Sequence, residues 1–173
     1  MGAIFYNRII SLKVGILCVL CICACHKEDA DNYAYLPQDF MVNVFQEQTY
    51  QMALAERLAK NLSSQKIEQM VNARRKFSAD YILELNSLKL SSPPLQVSLS
   101  AQQAKALQVI DQKSGTRDEV GLLKALIDSD QVMIALHVKA ASSSGVSDGM
   151  VRNWAEQKLP ALRENLKETQ NLK

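Results

Sequence analysis

Residues 116–141 read TRDEVGLLKALIDSDQVMIALHVKAA, and their periodicity decides the fold class. Val120, Leu123, Ile127, Ile134 and Ala141 recur at three-, four- and seven-residue steps, which collects them on one stripe of a helix. Thr116 and Glu119 have the spacing of a capping box and are expected to start that helix. Two polar residues interrupt the stripe. Asp130 falls between Ile127 and Ile134, and His137 follows further along.

The same pattern extends in both directions. From about Pro37 to Leu62, Met41, Val44, Met52, Ala55, Ala59 and Leu62 recur at helical spacing, and Ser63-Ser64 supplies a break and a cap. A second helix runs to about Leu90 with Ile67, Val71, Ser78, Tyr81, Leu85 and Leu88 on its stripe. Ser91-Ser92-Pro93-Pro94 ends it, because proline cannot continue the hydrogen-bond ladder. Ser100 and Gln103 form a capping box for a short third helix ending near Lys113, and Ser114-Gly115 separates it from the fourth. Ser142 to Gly145 breaks the chain again before Ser147 or Asp148 caps a last helix carrying Val151, Trp154, Ala155, Leu162, Leu166 and Thr169. Trp154 reads as a core anchor. No segment alternates as a strand would. The expectation is an all-α domain over residues 37–172: a four-helix antiparallel bundle with one extra short helix.

The polar residues on these stripes carry the most information. Arg74 sits between Val71 and Ser78, Gln48 between Val44 and Met52, and Asn165 beside Leu162 and Leu166. A charge at a core position costs several kcal/mol unless it is paired. Arg74 and Asp130 have opposite sign on stripes that face one interior. They are expected to pair, with Gln48 or Asn165 completing the hydrogen bonds. In the alternative both reach solvent at a stripe edge, the arginine stem running outward. His137 is the only histidine after His26, and a lone histidine on an apolar face is ordinarily a packed side chain rather than a ligand.

The N-terminus has a different character. Arg8 and Lys13 precede the apolar run VGILCVLCICA at residues 14–24, which is short for a membrane span and has signal-peptide length. All four cysteines, at positions 18, 21, 23 and 25, lie in or just after that run, in no loop that would gather thiolates on a metal. Ile22-Cys23-Ala24-Cys25 resembles a lipoprotein signal-peptidase box, with small Ala24 before Cys25 and the polar His26-Lys27-Glu28-Asp29 after it. Residues 1–24 are therefore expected to be a lipoprotein signal peptide. Cys25 is the lipidation site, and residues 25–36 form a tether; an uncleaved N-terminal anchor is the alternative. Lipid on Cys25 would place the domain in the bacterial cell envelope, on the periplasmic face or the cell surface. Arg8 and Lys13 are the only charged residues before Cys25, so the remainder carries 18 basic against 18 acidic residues. A neutral domain has no general attraction for nucleic acid, which is set aside.

The run from Leu58-Ala59 through Gln69-Met70-Val71, and above all Leu159-Pro160-Ala161-Leu162-Arg163, resembles the domain-of-unknown-function 4142 family over roughly residues 38–172. The resemblance implies an exported, ferritin-like helical bundle. It also implies histidines where this chain has Arg74, Asp130 and Asn165, in Met70-Val71-Asn72-Ala73-Arg74, in Leu126-Ile127-Asp128-Ser129-Asp130 and after the Leu-Pro run. An arginine stays protonated and repels a cation. The three substitutions suggest a former metal or polar site turned into an ion-pair network. No metal or cofactor is expected. The function expected is a non-enzymatic binding or structural module of unknown protein partner. A ferritin-like metal or redox protein is the alternative, although the chain lacks the Glu-x-x-His spacing of that class. A hydrolase has less support, with no Gly-x-Ser-x-Gly elbow.

Overall fold

Five helices account for almost all of the residues that the computed structural model describes, which are 33–60, 64–88, 98–113 and 118–172. They are α1 (Pro37–Lys60), α2 (Gln65–Ser87), α3 (Ala101–Lys113), α4 (Glu119–Ala141) and α5 (Gly149–Gln170). The expected signal peptide, Cys25 and the first part of the tether lie outside the described residues. No described helix is long and apolar enough to cross a membrane.

The helix starts follow local chemistry. Ser64 caps α2 by accepting from the Ile67 N–H. Ser100 and Gln103 form the expected capping box on α3, with the Gln103 N–H donating to Ser100 Oγ (3.2 Å) and the Ser100 N–H donating to Gln103 Oε1 (3.0 Å). Asp148 caps α5, accepting from the Met150 and Val151 N–H groups at 2.8 and 3.0 Å. The cap of α4 is Asp118, whose carboxylate accepts from the Gly121 N–H at 2.8 Å. This replaces the expected role of Thr116, which lies outside the described residues. α5 continues through exposed Pro160. The proline has no N–H to donate back to the Glu156 carbonyl, and both residues face outward, where water can serve that carbonyl.

α1 lies beside α2 and α4, and α5 lies beside α4 and, less closely, α2. Every neighbouring pair of long helices is antiparallel. Phe40 and Val44 at the start of α1 share a core cluster with Leu85 near the end of α2, Ala140 near the end of α4 and Val151 at the start of α5. α2 and α4 thus run in the same direction on one diagonal, and α1 and α5 on the other. Joining two parallel helices requires the chain to travel the length of the bundle. α3 makes that journey alongside α1, held by Gln46 Nε2 donating to the Ser98 carbonyl (3.2 Å) and by Arg57 donating to both oxygens of Asp111 (2.7 Å each). The link between α2 and α4, the second and third long helices, is therefore a crossover.

Several expected stripe members are displaced. Val120 is 67% exposed, and Leu122, Leu126 and Met133 are buried in α4 in its place. In α1, Leu54 and Leu58 are fully buried where Met52 and Ala59 are only half-buried, and in α5 Leu166 is half-buried while Asn165 is buried. Four-residue steps advance the side chain by about 40° each, so a stripe built from them drifts off the contact face. α4 is apolar on most sides, so its sequence alone does not choose among its stripes.

Residues 33–36, expected as the end of the tether, belong instead to the folded unit that begins at Tyr33. The Ala34 and Tyr35 N–H groups donate to the Ser144 and Gly145 carbonyls at 2.8 and 2.9 Å, a single parallel bridge beside Val146. Gly145 permits it. A Cβ there would meet the Lys139 and Ala140 carbonyl oxygens at 2.2 Å, so only glycine lets the turn fold back onto the end of α4.

Candidate functional site: a polar layer across the bundle

The core is not continuous. One apolar cluster holds Phe40, Met41, Val44, Tyr81, Leu85, Met133, Val151 and Trp154, and a second holds Leu54, Leu58, Ile67, Val71, Leu107, Leu122 and Leu126. Between them every long helix contributes buried polar side chains: Glu47, Gln48 and Gln51 from α1, Arg74 and Ser78 from α2, Ser129 and Asp130 from α4, and Asn165 and Thr169 from α5. The layer exists because each stripe carries its polar breaks at the same height.

Arg74 and Asp130 hold the inner half. Arg74 Nη1 donates to Asp130 Oδ1 and Nη2 to Oδ2, each at 2.6 Å, with both side chains almost wholly buried. Nη2 also faces the Asn165 carbonyl (2.7 Å) and Thr169 Oγ1 (2.6 Å). The Thr169 hydroxyl donates to the Asn165 carbonyl at 3.0 Å, and Gln51 Nε2 donates to Asp130 Oδ1 at 3.0 Å. Burial pushes the Asp130 carboxyl up from the ordinary carboxylate range, and the Arg74 hydrogen bonds and charge oppose that. A guanidinium that cannot lose its proton, aligned with both oxygens, keeps the carboxyl ionised.

Of the four network residues expected from sequence, Arg74 and Asp130 meet directly. Asn165 takes part through its backbone carbonyl, while its Nδ2 has no partner. Gln48 does not join them. It is buried with Oε1 unpartnered, and Gln51 makes the contact instead because α1 turns that residue toward the diagonal. Thr169, a member of the expected α5 stripe, joins the network through its hydroxyl, and its signal in the sequence is a threonine on the same face as Asn165, one turn later.

Glu47 and Ser129 form the outer half, and the apolar stripes of the sequence single out neither. Glu47 is 8% exposed, and its carboxylate accepts from the Ser129 hydroxyl and, at 2.9 Å, from Gln103 Nε2. Burial pushes this carboxyl up, the two hydrogen bonds pull it down, and the Asp130 charge adds a smaller upward push. Glu47 next to Gln48 and Ser129 next to Asp130 mark the one side of the layer that looks toward α3.

His137 lies apart, in the first apolar cluster. It is fully buried against Phe40, Tyr81 and Trp154, with ring centroids 5.4, 5.9 and 5.7 Å away. Nδ1 is 2.8 Å from the Met133 carbonyl, which can only accept, so Nδ1 carries the hydrogen and Nε2 accepts from the Tyr81 hydroxyl at 3.0 Å. Burial lowers its pKa to about 4. Trp154 is in the core as expected, its indole N–H donating to Glu84 at 3.1 Å. Among the described residues no group of three or more histidine, cysteine, aspartate or glutamate side chains is placed to hold a metal ion.

Comparison with family models, with curated proteins and with solved structures finds no match to this chain.

Proposed function

We propose that this protein is an envelope lipoprotein, anchored through lipid on Cys25, whose helical domain is a non-enzymatic binding or structural module. The anchoring rests on residues 14–25: a basic start, an apolar run of signal-peptide length and a small residue before a cysteine. One observation supports the non-enzymatic reading most directly. The bundle interior, where helical proteins of this shape assemble metal and redox centres, is filled by a guanidinium bonded to a carboxylate, a hydroxyl and a carbonyl. A fixed positive charge there opposes a metal cation and leaves Asp130 no free face on the Arg74 side.

The single crossover between α2 and α4 is the connection pattern of ferritin-like bundles, and it favours reading the chain as a divergent member of the domain-of-unknown-function 4142 family. In that reading Arg74, Asp130 and Asn165 stand where relatives carry histidines.

Two measurements test the proposal. Cells given radioactive palmitate should label the wild-type protein and leave Cys25→Ser unlabelled; equal labelling of both would refute the anchor. Elemental analysis of the purified protein should find no stoichiometric transition metal. A one-to-one metal content would replace the module with a metalloprotein.

A further inference from the structure

The geometry points to the cavity between α1, α3 and α4 as a site for a small organic ammonium ion, with the Glu47 carboxylate as its counter-charge. The cavity encloses about 410 Å³, and its walls include Glu47, Tyr50, Gln103, Ser129 and Val132. No lysine, arginine or histidine lines it, while two carboxylates, Glu47 and Asp128, do.

Glu47 is more than nine-tenths buried, yet no ion pair among the described residues involves it. The nearby cations are committed elsewhere: Lys124 to Asp128, Arg57 to Asp111 and Arg74 to Asp130. The neutral groups that touch Glu47 are both donors. Gln103 is held in that role, because its Oε1 accepts from the Ser100 N–H and hydroxyl and so turns Nε2 toward the carboxylate. Two fixed donors favour the ionised carboxylate, and burial without a cation disfavours it. A cation entering the cavity resolves that conflict.

The walls select the kind of cation. The lining holds no histidine or cysteine, and no third acidic side chain joins Glu47 and the Lys124-paired Asp128, so a metal ion would find few protein ligands there. An ammonium group needs only the remaining lone pairs. Ala106, Ala125 and Val132 offer an apolar wall for a short alkyl chain. The Tyr50 hydroxyl feels the same field: burial raises its pKa, and the Glu47 and Asp128 charges raise it further. This inference goes beyond the module reading and does not rest on lipid attachment.

Calorimetric titration of the full chain in detergent micelles with n-butylammonium chloride tests it, with 1-butanol and magnesium chloride as parallel probes. Saturable butylammonium binding in the millimolar range or tighter is expected, weakened roughly tenfold or more in Glu47→Gln and unchanged in Asp80→Asn on distant α2. If Glu47→Gln fails to fold, Val132→Lys tests the same point by placing a tethered ammonium at the cavity wall, and free butylammonium should no longer bind. No saturation in the wild type, equal binding of butanol, undiminished binding to Val132→Lys, or stoichiometric magnesium binding lost in Glu47→Gln would each overturn the assignment.

Discussion

The Arg74 guanidinium meets the Asp130 carboxylate in two parallel hydrogen bonds of 2.6 Å, from helices on opposite corners of the bundle. The pair therefore ties a diagonal that is not among the closely packed helix pairs. Its energetic signature should be asymmetric. Arg74→Met or Asp130→Leu alone leaves one buried charge without its partner and should cost about 3–5 kcal/mol. The double variant removes both charges and should lie within about 1–2 kcal/mol of wild type. A urea-denaturation double-mutant cycle reads the coupling, and additive single effects would mean that the two residues act independently.

The two α1 glutamines separate in the same assay. Gln51→Leu removes a hydrogen bond to a buried carboxylate, offset in part by removing its own unpartnered Oε1, and should cost about 1–2 kcal/mol. Gln48→Leu removes a buried amide whose Oε1 has no partner, and it should be neutral or mildly stabilising. Equal losses at both positions would contradict the placement of Gln51 against Asp130.

Acid should destabilise the domain through His137. Its folded pKa is depressed to about 4 from an ordinary 6.5, so the unfolded chain takes up the proton first as pH falls. The contribution is full above about pH 6.5 and is lost by about pH 4, a change of about 3 kcal/mol. Wild type should lose that much more stability than His137→Leu between pH 7 and pH 4, measured by chemical denaturation. Parallel pH profiles would be the contrary result. Tyr81→Phe should cost about 1–3 kcal/mol at neutral pH, because Nε2 then loses its only donor.

Gly145→Ala should cost roughly 1–3 kcal/mol through crowding against the α4 carbonyls. It should also loosen the Ala34 and Tyr35 hydrogen bonds to this turn, seen as faster amide exchange at those residues alongside a lower melting temperature. Unchanged protection at Ala34 and Tyr35 would mean that the turn tolerates a side chain.

The helices were legible in the residues themselves. Apolar spacing, the Ser100–Gln103 box and the acidic residue before α5 depend on interactions within about one turn of chain, so the sequence states them directly. Arg74 and Asp130 were legible as partners for a similar reason: two opposite charges on buried stripes have few other ways to avoid the cost of desolvation. The turn formed by Ser144 and Gly145 was readable as a break, but its capture of Ala34 and Tyr35 was not, since nothing local joins residues more than a hundred positions apart.

The sequence by itself determined an all-helical chain with a charged interruption in its core, because helix formation and the cost of burying charge are properties of short segments and single side chains. Only the tertiary structure decided that Gln51 rather than Gln48 reaches Asp130, that Leu122 and Leu126 face inward in place of Val120, and that Glu47 meets Ser129 and Gln103 across three helices. Each of those outcomes depends on the rotation of one helix about its axis against its neighbours. That rotation is set by the packing of the whole bundle and leaves no mark in any one segment.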